Sequence, residues 1–104
     1  MTGKNNKPRP AYKLEDVRAA IDAGRFKFIN REKNLLTLED LGITPMEVAR
    51  HVYSLRPAHF FAPALKTASM PADVYKKTID GMTVYIKFYL DEDVVVISFH
   101  EDEI

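Results

Sequence analysis

The chain has 104 residues, 46% of them apolar and 29% charged, which suits one hydrophobic core and excludes both two independent cores and a disordered chain. It contains no cysteine, so a disulfide framework, a thiolate zinc site and a cysteine nucleophile are all excluded. Its net charge of zero divides into nine Lys/Arg against four Asp/Glu over residues 1–33 and six against eleven over 34–104, so any nucleic-acid role must rest on a local basic patch and not on a global field.

Met1 to Ala11 is polar, with Pro8 and Pro10, and reads as a flexible N-terminal arm ahead of a single domain over residues 12–104. The segment lacks the apolar stretch of a secretory signal, and no apolar run approaches the roughly 18 residues that cross a membrane. A cytoplasmic protein is expected. From Tyr12 the pattern turns helical. Leu14, Val17 and Ile21 recur at i, i+3 and i+7, and Gly24 stands where a helix end takes positive φ. Arg25 to Ile29 alternates charged and apolar side chains, which predicts a short strand. Leu35, Leu38 and Leu41 mark a second helix, closed by Gly42.

The third helix has the clearest start. Thr44 is placed to cap it, Pro45 occupies the first helical position and Glu47 completes a capping box. Val48, Val52 and Leu55 form its buried stripe, and Pro57 stops it. Residues 57–72 show no period and carry two further prolines, so they read as a loop with at most one helical turn. Asp73 to Ile79, Met82 to Leu90 and Val94 to Phe99 are β-branched and aromatic runs joined by Asp80-Gly81 and by Asp91-Glu92-Asp93. Helices followed by a meander predict an α+β fold, with N-terminal helices packed on a twisted antiparallel sheet.

The turns set an expected register. A two-residue loop at Asp80-Gly81 places Ile79 opposite Met82 and Lys76 opposite Tyr85. A two-residue loop at Glu92-Asp93 places Leu90 opposite Val95, Lys87 opposite Ser98, and Tyr85 opposite His100. Because strand side chains alternate faces, one face collects Met82, Val84, Ile86, Phe88 and Leu90 with Val95, Ile97 and Phe99. Ile97 is then expected in the core and Val96 on the other face, beside Tyr89.

That other face carries Thr83, Tyr85, Lys87 and Tyr89, flanked by Lys76, Thr78, Ser98 and His100. Its centre is a row, Lys76–Tyr85–His100, which brings an ammonium, a phenol and an imidazole within strand spacing of one another. Such a row suits metal-free phosphodiester cleavage. A base takes the ribose 2′-OH proton, cations hold the phosphate, and an acid protonates the departing 5′-oxygen. Imidazole serves as acid or base near neutral pH, and tyrosine bonds a phosphate or stacks a base. The solvent face of an ordinary antiparallel sheet also shows Tyr, Lys, Thr and Ser, so composition leaves both readings open. His51, beside the third helix's stripe, and His59 read as structural. Asp91, Glu92 and Asp93 read as solvated turn acids. No glycine-rich phosphate loop, zinc spacing or nucleophile elbow is present, and neither a metal nor another cofactor is expected.

The segments YKLEDVRAAIDAGRF (12–26), REKNLLTLEDLG (31–42) and DVYKKTIDGMTVYIKFYLDEDVVVISF (73–99) resemble the MqsR family of type II toxins, small endoribonucleases of the RelE-like superfamily. The most specific parts are the Asp-Val-Tyr opening, the Val-Tyr-Ile-Lys centre and the Val-Ile-Ser-Phe end. The resemblance implies a RelE-like fold, a ribosome-independent mRNA interferase that cuts RNA without a metal, and a cognate antitoxin as partner. It also implies a functional set: a lysine after the third helix, a glutamine before the first long strand, a tyrosine in the central strand and a lysine ending the last strand. Here the tyrosine is Tyr85, and His100 stands at the terminal lysine position, where it keeps a proton-transfer group. The glutamine position is Ala72. The loop lysine aligns near Ala62, with Lys66 as a nearby substitute. A histidine at the end of the last strand is similar to the general-acid histidine of other RelE-like toxins. The resulting expectation is an endoribonuclease in which His100 and Tyr85 are catalytic and Lys76, Lys87 and Lys66 bind substrate. The alternatives are a catalytically impaired binding protein of the same fold, acting only through its partner, and an oligomer formed by strand pairing at a sheet edge.

Overall fold

A computed structural model describes residues 9–63 and 70–103. Three helices, α1 (Leu14–Asp22), α2 (Glu32–Leu41) and α3 (Pro45–Tyr53), precede most of the strands, with a single 3-10 turn at Pro57–His59. The strands are β1 (Phe26–Phe28), β2 (Phe60–Pro63), β3 (Asp73–Ile79), β4 (Met82–Asp91) and β5 (Asp93–Glu101). They form one sheet in the order β1-β5-β4-β3-β2.

Local chemistry explains the helix ends. Thr44 Oγ1 accepts from Glu47 N at 3.3 Å while Glu47 Oε1 accepts from Thr44 N at 2.9 Å, the reciprocal bonds expected of the capping box. α2 ends at Gly42, whose left-handed φ of 69° a side chain would resist. Arg18 on α1 donates to Tyr53 O at 2.9 Å and Leu55 O at 2.7 Å, which satisfies carbonyls at the exit of α3 and ties the two helices together.

The α+β class and the packing of N-terminal helices on the sheet agree with the sequence. The sheet itself is mixed. β2 through β5 are antiparallel neighbours, but β1 pairs in parallel with β5, Phe26 opposite Val94 and Phe28 opposite Val96. Hairpin turns fix direction only for the strands they join, and no turn links β1 to β5. β2 lies in the span read as loop. Its Phe-Phe-Ala-Pro sequence has no alternation to reveal it, yet it pairs with β3 through Phe60 and Tyr75.

The Asp80-Gly81 hairpin has φ of 51° and 83°, the positive pair of a type I′ turn, and it gives the expected Ile79–Met82 and Lys76–Tyr85 pairs. The second turn corrects the expected register. The chain reverses on Glu92 alone (φ 65°), so Asp91 pairs with Asp93, Leu90 with Val94, Tyr89 with Val95 and Phe88 with Val96. A β-bulge then shifts the register between Lys87 and Phe88, which restores Lys87–Ser98 and Tyr85–His100. The bulge absorbs the extra residue, Ile97, and reverses the facing of everything between it and the turn. Val96 is therefore 0% exposed in the core, while Ile97 is half-buried, the opposite of the expected assignment.

Asn34, 0% exposed, clamps this bulge. Its Nδ2 donates to Ile29 O at 3.0 Å and to Ile97 O at 2.9 Å, and its Oδ1 accepts from Phe99 N at 3.0 Å. A polar side chain is tolerated there because every bond it needs is made. Around it Val17, Leu38, Val48, Val52, Tyr75, Val84, Ile86, Phe88, Val94, Val96 and Phe99 form one core between helices and sheet. Each such side chain contributes on the order of 1.5–3 kcal/mol by burial. Asp73 at the start of β3 accepts from Ala11 N at 2.8 Å and Tyr12 N at 3.0 Å, anchoring the approach to α1. Residues 1–8 of the expected N-terminal arm lie outside the described residues.

Candidate functional site

Strand alternation places Lys76, Tyr85 and His100 on the face of the sheet turned away from the helices, in one row across β3, β4 and β5. The row exists because the bulge at Ile97 resets parity before His100 is reached. Tyr85 and His100 stack, with ring centroids 5.2 Å apart and planes 13° from parallel, and both are half-buried. His100 Nδ1 lies 2.9 Å from Glu101 O. A carbonyl only accepts, so this bond assigns the Nδ1 proton and leaves Nε2 as the nitrogen available to take up or give a proton.

Lys76 is held on two sides. Its Nζ pairs with Asp102 Oδ2 at 3.0 Å and sits 3.8 Å from the centroid of the Phe61 ring. Asp102 is brought there by its own backbone, whose N–H donates to Thr83 O at 2.8 Å. Sequence reasoning missed both Asp102 and Phe61. The first lay in an acidic tail with no period, and the second on a strand that had read as loop. Lys87 stands one row along, opposite Val74 and Ser98, and among the described residues it makes no ion pair. Ala62 pairs with Val74, so Ala62, Val74, Lys87 and Ser98 form a second row parallel to the first. Ala72 is buried immediately before β3. Lys66 lies outside the described residues.

This face is not simply solvated. Val74 and Val95 are 3% and 8% exposed and polar Ser98 is 3% exposed, so half-buried Tyr85, Lys87 and His100 stand beside closed-off neighbours. Beside buried neighbours a charged hydrogen bond to a bound anion is stronger than in open water.

The other candidates fall elsewhere. His51 on α3 lies tilted against Phe99, centroids 6.2 Å apart. Burial first, and the charge of Lys77 second, hold its pKa below the ordinary value. His59 Nδ1 accepts from Arg56 N at 2.9 Å, and burial again lowers its pKa. Neither joins the row, in keeping with a structural role. Of the three turn acids, Asp93 pairs with Lys27 at 3.3 Å. Among the described residues no three His, Asp or Glu side chains converge as a metal-binding group, and no helix is long and apolar enough to cross a membrane.

Chemically, the row offers a proton-transfer group, a phenol that can donate to an anion and the Lys76 ammonium, with Lys87 in the next row. A protein-family model described as "Motility quorum-sensing regulator, toxin of MqsA" matches residues 9–101. That span holds Tyr85, His100 and both lysines, and stops one residue short of Asp102. No curated protein sequence matches the chain.

Proposed function

Because this chain belongs to the MqsR toxin family, we propose that it is the toxin of a toxin–antitoxin pair, a cytoplasmic endoribonuclease that cleaves RNA by metal-free attack of the ribose 2′-OH. The observation that carries the reading is the Tyr85–His100 stack, set in register beside Lys76 within the span that the family model matches. A polyanion approaching this face meets Lys87, which makes no ion pair among the described residues, and Lys76, partly neutralised by Asp102. Solvent takes the 2′-OH proton as the 2′-oxygen attacks phosphorus. Tyr85 donates to a phosphate oxygen as negative charge gathers there. The imidazolium of His100 gives its Nε2 proton to the 5′-oxygen as the P–O5′ bond breaks. The products are a 2′,3′-cyclic phosphate and a 5′-hydroxyl end, and solvent reprotonates the imidazole.

A second reading, a binding protein acting only through its antitoxin, is favoured by one group of observations. Alanines stand at two positions where the family resemblance implies lysine and glutamine, and the charge of Lys76 is already answered. Induced expression separates the two. The ribonuclease reading expects growth arrest and new 5′-hydroxyl RNA ends, both abolished when the product of the neighbouring gene is co-expressed. The binding reading expects a stable complex with that product and no new ends.

A further inference from the structure

The acidic segment that follows His100 returns onto the row. Asp102 N donates to Thr83 O at 2.8 Å, so pairing with β4 runs one residue past Glu101, and strand alternation puts Asp102 on the same face as His100. Lys76 lies opposite Tyr85 on β3, with β4 between it and β5. The Lys76–Asp102 ion pair, 3.0 Å long, therefore bridges diagonally over β4, from the Tyr85 row to Thr83. It runs beside the phenol that the proposed cleavage sets against a phosphate.

Two features separate this bridge from an ordinary surface ion pair. One is its cover. The Lys76 and Asp102 side chains are 21% and 9% exposed, against 54% and 66% for Lys33 and Glu103, the pair one residue further on. The Phe61 ring, its centroid 3.8 Å from the same ammonium, closes another side. A phosphate that is to reach Lys76 must therefore displace the carboxylate. The other feature is the weakness of the hold. Asp102 Oδ2 is buried and, despite the approach of the ammonium, accepts no aligned hydrogen bond among the described residues. A buried ion pair without such bonds does little more than offset its own desolvation. Stability does not explain the contact, and opening it costs little.

We infer that Asp102 is an intramolecular stand-in for a substrate phosphate. It holds Lys76 while the face is empty and yields to a backbone phosphate of RNA, which competes for the ammonium with help from Tyr85 and Lys87. The chain is thereby kept below its full RNA affinity by its own carboxylate. The inference rests on the reading of this face as the one that meets RNA, and it concerns affinity, not the proton transfer at His100.

The test is a double-mutant cycle on the full chain. It is read by fluorescence anisotropy of a labelled 2′-O-methyl oligoribonucleotide, which lacks the attacking hydroxyl and so reports binding without cleavage. Asp102→Asn keeps the shape of the side chain and should bind about 3- to 10-fold more tightly than the native chain in low salt. In a Lys76→Met background the same change should matter less than about 2-fold, because no ammonium is left to release. Glu103→Gln removes an acid of the same segment from Lys33 and should also shift affinity less than about 2-fold. Tightening by Asp102→Asn that persists in Lys76→Met, or that Glu103→Gln matches, overturns the inference, since loss of any negative charge would then suffice. So does unchanged affinity in Asp102→Asn. A chain that follows this cycle yet never cuts RNA upholds the inference and overturns the cleavage reading alone. One that cuts RNA but fails the cycle does the reverse.

Discussion

Replacing Asn34 by alanine removes three hydrogen bonds at once and leaves the Phe99 N–H and the Ile29 and Ile97 carbonyls without their partner. Each bond is worth about 0.5–1.5 kcal/mol net, and an orphaned buried group costs about 1–3 kcal/mol. The Phe99 N–H is buried and the two carbonyls part-buried, so one orphaned group and two lost bonds come to about 2–6 kcal/mol, a large share of the roughly 5–15 kcal/mol that holds a domain of this kind together. The effect reaches the functional face, because Asn34 grips both Ile97 O and Phe99 N. It thereby fixes the bulge that turns His100 to lie opposite Tyr85. Urea denaturation followed by circular dichroism reads the loss. Asn34→Asp should lose as much at pH 7, because it sets a carboxylate against two carbonyl oxygens. A cost below about 1 kcal/mol in Asn34→Ala would refute the clamp, since one buried and two part-buried bonds cannot vanish so cheaply.

Val96→Ala should cost about 2 kcal/mol and Ile97→Ala about 1 kcal/mol or less in the same melts, because Val96 is fully buried and Ile97 sits at the bulge; the reverse order would restore the unbulged register. Burial holds the Asp73 carboxyl above its ordinary value of 3.8, so folding favours its protonated form. Its contribution is greatest below that value and is lost as pH rises through the raised one. Between pH 7 and pH 4 the native chain should therefore gain stability relative to Asp73→Asn, and parallel pH profiles would contradict this. Asp102→Asn frees Lys76 from its ion pair and should tighten RNA binding by about 3- to 10-fold in low salt, with the gain vanishing in high salt. An unchanged affinity would mean that Lys76 faces no phosphate.

What the sequence disclosed follows from how local each signal was. The capping box at Thr44 and Glu47, the Asp80-Gly81 turn and the Lys76–Tyr85 pair depend on residues a few positions apart, and all are found as read. The β4–β5 hairpin was legible only in part. Its far pairs, Lys87–Ser98 and Tyr85–His100, came out as expected although the turn was placed one residue wrong, because the bulge cancels the slip. Nothing in Val-Val-Val-Ile-Ser marks which residue is extra; Asn34, remote in sequence, decides it. The same distance hid the parallel pairing of β1, the return of Asp102 to Lys76, and the position of Phe61 beside that ammonium. The Tyr85–His100 row is legible as a pattern, whereas the burial of Val74, Val95 and Ser98 beside it is not, since packing that no alternation encodes closes them off.

In the proposed cleavage His100 delivers a proton to the leaving 5′-oxygen of RNA. Single-turnover cleavage of a defined RNA in EDTA reads this step, with the native chain compared with His100→Ala and the ends formed mapped. The native chain should leave 2′,3′-cyclic phosphate and 5′-hydroxyl ends, and a folded His100→Ala should cleave about 100- to 10,000-fold more slowly. Tyr85→Phe should lose less, and Lys87→Ala should lose mainly affinity. An unchanged rate in His100→Ala, or RNA left intact by the native chain at enzyme excess, would contradict it.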